Sequence, residues 1–197
     1  IAAGCAATAT LMSVQNGLGC GLVQAWGSEA QKKAWLPELA AGRAIVCFCL
    51  TEPQAGSEAN NLKTRATESG GGWALEGTKQ FISNARRASF AIVICRTEDD
   101  PEIRQAGNTA FIVDIPTDGW NRVREVETMH GGTGHSEILI EDLRVPDRNR
   151  LGGRGEGHLL GRRAVAEDGP EELPDPVVVR QDGRDVVRRR GADRHDA

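Results

Sequence analysis

The stretch CFCLTEPQAGSEANNLKTRA, residues 47–66, begins as a short apolar run and becomes a polar, glycine-containing loop after Leu50. A strand that only filled a core would be expected to continue. A polar loop at this position can present hydroxyl groups and backbone N–H groups to an electron-rich ligand. The stretch therefore predicts a strand whose end forms one edge of a binding site.

The sequence before this stretch has the pattern of helices. Residues 1–25 are rich in Ala, Gly, Leu and Val and contain neither Pro nor a charged residue, which is typical of buried helical material. Ser28 and Gln31 then fit a capping box at the start of a second helix, and Gly42 stands where such a helix ends. Pro37 predicts that this helix is short or kinked.

From about residue 46 the apolar residues recur with a period of two. About seven short runs over roughly 100 residues, separated by turn signals, are typical of an antiparallel barrel or sandwich. They include WALEG (73–77), TKQFIS (78–83), FAIVICRT (90–97), TAFIVDI (109–115) and EILIEDLRV (137–145). The predicted class is α+β, with a helical segment at 1–45 followed by a β-domain at 46–150.

The composition changes again after Leu151. Residues 161–197 contain one Leu, no Phe, Ile, Met, Trp or Lys, eight Arg and nine Asp or Glu. Such a composition buries too little apolar area to offset the entropy of ordering, so 151–197 is predicted to be a hinge and a disordered tail. A shifted reading frame after residue 160 and a genuine disordered tail both explain the change. The chain also starts with Ile inside a predicted helix, which indicates a fragment or a misassigned start.

Charge and cysteine content argue against several classes of protein. The net charge of −4 gives no broad basic field for nucleic acid. No apolar run approaches the ~20 residues of a membrane span, and no signal-peptide pattern opens the chain. Five cysteines without C-x-x-C spacing indicate reduced thiols in the cytoplasm or, alternatively, the mitochondrial matrix. Cys47 and Cys49 are interpreted as small buried residues. The two histidines of HGGTGHSEI (130–138) have no obvious further ligands, so no metal site is predicted.

Three motifs in a fixed order resemble the acyl-CoA dehydrogenase family: LTEPQAGSE (50–58), GTKQFISNA (77–85) and EDLRVPDRNRLG (141–152). With the preceding helical end, the resemblance runs from about Trp26 to Leu160. It implies the end of an N-terminal helical domain and a middle β-domain, followed by a C-terminal helical domain that is not recognisable here. It also implies FAD and an acyl-CoA thioester between the last two domains, with hydride passing from the substrate β-carbon to flavin N5.

The resemblance also implies the roles of individual residues by motif position. Phe48, Leu50 and Thr51 correspond to residues at the flavin edge, Leu50 through its backbone and Thr51 through its hydroxyl. Gly56 and Ser57 correspond to the turn near the pyrophosphate, where Gly allows close backbone approach and Ser57 also lies on the CoA side.

Phe81 corresponds to an aromatic residue beside the isoalloxazine, and Ser83 to the hydroxyl near N5. Phe48 and Phe81 stand where relatives often have Tyr and Trp, so ring hydrogen bonds are lost while stacking is kept. Glu52 is interpreted as a loop residue, because the family's base is a Glu of the C-terminal domain; no catalytic residue is predicted in this chain. Taken singly, each position also fits a simple turn or core role.

The first functional expectation is FAD-dependent α,β-dehydrogenation of an acyl-CoA, impaired in a chain that lacks the base. A flavin oxidase or monooxygenase of the same fold is the second, and a non-catalytic binding or assembly module is the third. By resemblance, the partners are the acyl-CoA substrate and electron-transfer flavoprotein, and full-length relatives are homo-oligomers.

Overall fold

The computed structural model describes residues 1–58, 61–98, 107–127 and 133–157, and the backbone of two strands at 177–181 and 184–188. The chain divides into two compact units, Ile1–Val165 and Ala166–Ala197. In the first unit, helices are followed by a large β-sheet, which confirms the predicted α+β class. The predicted domain boundaries after residues 45 and 150 stay predictions.

The helical segment contains two stretches of helix. The first is α1 (Ala6–Ser13), which continues as a π-helix (Val14–Gly21) into α2 (Leu22–Trp26); the second is α3 (Glu29–Ala40). No residue of α1 is buried, so the prediction of buried helical material is wrong for α1. The buried residues of the first stretch begin at Gln15.

The predicted start and end of α3 are confirmed. Ser28 and Gln31 form a capping box, and Gly42 has the positive φ of +69° that suits a residue just past a helix end. The helix nevertheless runs through Pro37 to Ala40, so it does not stop at the proline. Packing of α3 on the sheet, where the Trp35 and Phe90 rings lie 4.3 Å apart, favours this continuation.

Gln15 joins the helices to the first strand. Its buried side-chain amide donates to the carbonyls of Leu39 and Ala44, at 3.3 and 2.8 Å. Its side-chain carbonyl accepts from the Val46 N–H at 3.1 Å. Because all three partners are backbone groups, Gln15 fixes where the first strand begins, and the far end of that strand carries the candidate site.

Eight strands form one sheet in the order β6-β7-β3-β2-β4-β5-β8, with β1 also paired to β4. Their bounds are β1 Val46–Cys49, β2 Arg65–Ser69, β3 Gly72–Ser83, β4 Phe90–Arg96, β5 Asn108–Asp114, β6 Trp120–Glu127, β7 Thr133–Pro146 and β8 Arg150–Leu151. A short 3-10 turn, Asp147–Asn149, precedes β8.

The sheet is mixed and not purely antiparallel. β1 runs parallel to β4, and Arg65 of β2 forms a single parallel pair with Arg96 of β4. The predicted runs WALEG and TKQFIS are one continuous strand, β3. No predicted run covered β6, because it is a largely exposed edge strand rich in charge and is formed by pairing with β7 rather than by burial.

Both faces of the central strands are buried, which explains the nearly continuous apolar runs of β4 and β5. Alternate residues of β4 belong to two core clusters. Phe90, Ile92 and Ile94 pack on the helical side with Leu22 and Leu39. Residues on the opposite face of β4 and β5 pack with residues of β3 and β7 in the second cluster. This cluster includes Ala91, Val93, Cys95, Phe111, Leu75 and Leu143.

The second unit is described only at two strands, β9 (Val177–Gln181) and β10 (Arg184–Arg188), which pair antiparallel. A two-stranded hairpin alone is marginally stable in water. These ten residues form strands where the sequence predicted a disordered tail. The remainder of 158–197 lies outside the described residues. Within the described part of the chain, no helix is long and apolar enough to span a membrane.

Candidate functional site

The structure brings the end of β1 against β3, and so joins the first two sequence motifs. The Lys79 ammonium donates to the Leu50 carbonyl at 3.1 Å, and the Gln80 N–H donates to the Thr51 carbonyl at 2.8 Å. Leu50 and Thr51 are both half-buried. The strand end predicted from residues 47–66 is thus held in place through its backbone carbonyl groups, and these bonds do not use the Thr51 side chain.

The Thr51 side chain is available for other contacts. Its hydroxyl makes no hydrogen bond to any residue that the structure describes, although the residue is half-buried. A hydroxyl can both donate and accept a hydrogen bond. Thr51 is therefore suited to bind a hydrogen-bonding ligand.

Phe81 lies in a β-bulge with an unusual backbone conformation. Lys79 pairs with Ile138 and Ile82 with Ser136, so one extra residue is inserted in β3 between these pairs. Phe81 has φ +58°, a left-handed conformation that is rare for a bulky residue, and 53% of the residue is exposed. The alternation of β3 would place Phe81 in the core, but the bulge turns it outward.

Ser83 lies two residues beyond the bulge. Its Oγ is 2.9 Å from Nδ1 of His135, the residue paired with it on β7. The Asn84 side-chain amide donates to the Val46 carbonyl at 3.3 Å, which joins this end of β3 to the start of β1. His135 had no predicted role apart from the rejected metal site, and its partner in that motif, His130, lies outside the described residues.

Gly56 and Ser57 lie in the exposed turn that follows Thr51. Glu52 and Ala55 exchange two backbone hydrogen bonds of 3.0 and 3.1 Å, which close the start of this turn. A Cβ at Gly56 would meet no atom within 4 Å, so its outer face is open to a ligand. Phe48, the remaining predicted residue, is half-buried and packs in the helical-side core. The roles assigned to all seven residues stay predictions.

A buried ion pair lies beneath the site. Lys79 Nζ is 2.7 Å from Glu52 Oε1, and both side chains are at most 1% exposed. Glu52 also accepts hydrogen bonds from the backbone N–H groups of Lys63 and Thr64, at 2.7 and 3.1 Å, and from the Gln54 amide at 2.6 Å. Glu52 is thus a loop residue, as interpreted from the sequence. Lys79 was missed; its place among the inward positions of β3 was the only local signal.

Burial of Glu52 acts to raise the pKa of its carboxyl, but the Lys79 charge and the hydrogen bonds from Lys79, Thr64 and Lys63 together hold that pKa below its ordinary value of 4.5. A carboxyl with a lowered pKa in the folded state stabilises the fold above the unfolded-state pKa. This contribution is lost as pH falls through the folded-state pKa.

We therefore expect the free energy of unfolding to fall as pH decreases from about 5 to about 3, with part of this loss due to Glu52. The measurement is urea denaturation across this range for the wild type and Glu52→Gln, which removes the titrating group. The difference between the two proteins should shrink towards low pH. A constant difference would contradict the assignment.

Three of the five cysteines are buried, whereas Cys5 is exposed and Cys20 is half-buried. Cys47, Cys49 and Cys95 are free and buried, and the Cys47 and Cys49 sulfurs are 3.9 Å apart. Burial raises the pKa of the Cys95 thiol to about 12, so it is an unreactive neutral thiol at neutral pH. No group of three or more His, Cys, Asp or Glu among the described residues is arranged to hold a metal ion.

The fold and the site motifs agree with one protein family. A family profile described as the acyl-CoA dehydrogenase N-terminal domain matches residues 1–43, and one described as the middle domain matches residues 47–143. The chain belongs to the acyl-CoA dehydrogenase family.

Individual proteins are similar to this chain in sequence or in structure. The chain is 38% identical over 166 residues to the human mitochondrial short-chain specific acyl-CoA dehydrogenase, covering 84% of this chain and 40% of the relative. Butyryl-CoA dehydrogenase from Megasphaera elsdenii is similar in structure, with TM-score 0.75, 31% identity, and coverage of 81% of this chain and 42% of that one. A chain in the structure of the Acidaminococcus fermentans electron transferring flavoprotein has TM-score 0.76 and 31% identity, covering 80% and 41%. The chain thus spans about two-fifths of the length of these relatives.

Proposed function

We propose that this chain supplies the flavin-binding β-domain of an enzyme that uses FAD to dehydrogenate an acyl-CoA thioester between its α- and β-carbons. The observation that carries the proposal is the half-buried residue Thr51, whose hydroxyl has no partner among the described residues. It follows a strand end that is hydrogen-bonded to the Phe81 bulge through Gln80. Family membership supports the same reading.

The residues present fit a flavin. An isoalloxazine ring offers an apolar face and a polar edge, and the site offers an exposed aromatic side chain at Phe81 and hydroxyl groups at Thr51 and Ser83. A pyrophosphate needs close backbone approach and N–H donors, and the space beside Gly56 is open. Each feature lies on a short segment, 48–57 or 81–83, adjoining the contact between β1 and β3.

When bound, FAD would accept the hydride that leaves the β-carbon of the acyl group, and by resemblance a Glu of the C-terminal helical domain would take the α-proton. The residues of this chain would bind and orient the flavin. Thr51 and Ser83 would provide hydrogen-bonding hydroxyls at the ring edge, where preorganised dipoles stabilise arriving charge. Phe81 and Phe48 would exclude water, which strengthens those hydrogen bonds, and Ser57 would hydrogen-bond the pyrophosphate or the CoA.

The partners in this proposal are an acyl-CoA substrate and an electron-transfer flavoprotein as electron acceptor, in a homo-oligomeric full-length enzyme in the cytoplasm or mitochondrial matrix. The similarity to a chain in an electron transferring flavoprotein structure supports the acceptor. Because the chain spans 40% of the human relative, turnover by these 197 residues alone is expected to be impaired. Binding of FAD is therefore the primary test.

The test is titration of the purified protein with FAD, followed by flavin fluorescence and by absorbance near 450 nm. Saturable but weak binding with a perturbed visible spectrum is expected, because by resemblance the C-terminal helical domain supplies the other side of the flavin site. Addition of acyl-CoAs without oxygen, and then of oxygen, distinguishes a dehydrogenase from an oxidase by the speed of reoxidation. If the folded protein takes up no flavin, the flavoenzyme reading is wrong and the non-catalytic module is favoured.

Replacing Thr51 by Val should weaken FAD binding, because the change deletes a hydroxyl at nearly constant volume. Loss of one such partner costs about 1 to 3 kcal/mol, or roughly 5- to 150-fold in the dissociation constant. Thr67→Val on β2 is the matched control, since Thr67 is exposed outside the site. Equal affinity of wild type and Thr51→Val would contradict the role of Thr51.

A further inference from the structure

Burial of the charged Lys79 side chain has a large free-energy cost. The side chain is completely buried, and its ammonium contacts Glu52 at 2.7 Å and the Leu50 carbonyl at 3.1 Å. Lysine is almost never fully buried unless paired. An apolar pair of similar volume often gives equal or greater stability than a buried ion pair. Stability alone therefore does not account for Lys79.

We infer that Lys79 is a positioning residue that holds the two halves of the flavin edge in register. The first half is the end of β1, residues 50–52, and the second is the β3 bulge, residues 80–83. Lys79 contacts the first half directly, through the Leu50 carbonyl and the Glu52 carboxylate. It also immediately precedes the second half along the chain. This inference rests on the proposed function.

The ion pair of Lys79 and Glu52 also connects the strand end to residues 63 and 64. Glu52, which neutralises Lys79, also accepts hydrogen bonds from the backbone N–H groups of Lys63 and Thr64. The loop that leaves the site through Gly56 and Ser57 therefore returns to the same carboxylate. One ion pair fixes the start and the end of this loop.

The bulge needs anchors because its backbone is strained. A bulky residue at positive φ persists only where the surrounding structure enforces it. On one side of Phe81, Gln80 donates to the Thr51 carbonyl at 2.8 Å. On the other side, Ile82 is buried and Asn84 donates to Val46. Lys79 directly precedes Gln80, and its side chain is buried. Its hydrogen bond to the Leu50 carbonyl therefore limits movement of the neighbouring hydrogen bond between Gln80 and Thr51.

The variants that test this are Lys79→Met, which keeps the length and removes the charge, and Glu52→Gln/Lys79→Met, which removes both charges. Ile112→Ala, a core truncation in β5, is the control for general destabilisation. Comparisons are made at denaturant concentrations where all proteins have the same free energy of unfolding. The Gln80 amide is the reporter, because its hydrogen bond to Thr51 joins the two halves.

Hydrogen exchange at Gln80 should accelerate by about tenfold or more in Lys79→Met, as expected for loss of a charged hydrogen bond. The Ser89 and Ile115 amides, which donate to the Ile45 and Ser89 carbonyls, should not accelerate to the same extent. The double variant should regain stability relative to Lys79→Met but keep the faster exchange. FAD affinity should fall by about tenfold in both variants and by less than about twofold in Ile112→Ala.

Two results would overturn the inference. One is wild-type exchange at Gln80 in the double variant; the other is an equal loss of FAD affinity in Ile112→Ala at matched stability. A wild-type protein that takes up no FAD would instead contradict the proposed function. In that case, the exchange of Gln80 relative to Ser89 and Ile115 still decides whether Lys79 holds the two segments together.

Discussion

Replacing Gly77 by Ala should destabilise the protein severely. Gly77 has φ +148°, and a Cβ there would lie 2.6 Å from both the Cα and the Oγ1 of Thr64. Because part of this clash is with backbone, a side-chain rotation cannot relieve it. Strain and overpacking together predict a loss of about 2 to 6 kcal/mol in the free energy of unfolding, measured by urea denaturation.

Gly42→Ala is the matched control for this prediction. Gly42 also has a positive φ, +69°, but a Cβ there would meet no atom within 4 Å. It should therefore cost only about 1 kcal/mol, the conformational part of the effect. Since Thr64 donates its N–H to Glu52, Gly77→Ala should also accelerate amide exchange at Thr64. Equal losses in the two variants would mean that the close approach of β3 to Thr64 is not present in solution.

Phe111→Ala, a core truncation in β5, should have an effect of similar size. Phe111 is completely buried in β5, and its ring centroid lies 5.3 Å from that of Trp73. Truncation of a buried Phe typically costs about 3 to 5 kcal/mol, because apolar burial is lost and a cavity remains. A domain with a total stability of about 5 to 15 kcal/mol would be brought close to unfolding at room temperature.

Val123→Ala serves as the control for Phe111→Ala. Val123 lies on the edge strand β6 and is 57% exposed, so its truncation should change stability by about 0.5 kcal/mol or less. Urea midpoints measured for both variants test the pair. A loss below about 1 kcal/mol in Phe111→Ala would show that the core between β3 and β5 is looser than the structure indicates.

The two ends of α3 and most strands could be predicted because their signals are local. The Ser28 and Gln31 capping box and the glycine after α3 are written in a few adjacent residues. Strands β4 and β5 are apolar along nearly their whole length. Strand β6 lacked such a signal, because pairing with β7, and not burial, forms it.

The candidate site could be predicted only as a set of positions. The motifs placed Thr51, Phe81 and Ser83 by resemblance, and these roles stay predictions. The structure added the contacts that these segments make: the hydrogen bond from Gln80 to Thr51 and the contact between Ser83 and His135. These contacts join residues 29 and 52 positions apart, and local sequence patterns carry no information on such pairings.

The class of the fold, the family and the segments of the candidate site could be predicted from the sequence, because capping and periodicity depend on neighbouring residues and the family motifs occur in a fixed order. The direction of the β3 side chains after Lys79 follows from the pairing of β3 with β7. An extra residue on β7, between the pairs Leu75–Leu143 and Gly77–Ile140, is followed by one on β3 at Phe81. The second bulge changes the inward positions from odd to even, so Ile82 is buried and Phe81 is exposed. A strand's alternation cannot show such a switch, because a bulge is defined by the partner strand as much as by its own residues.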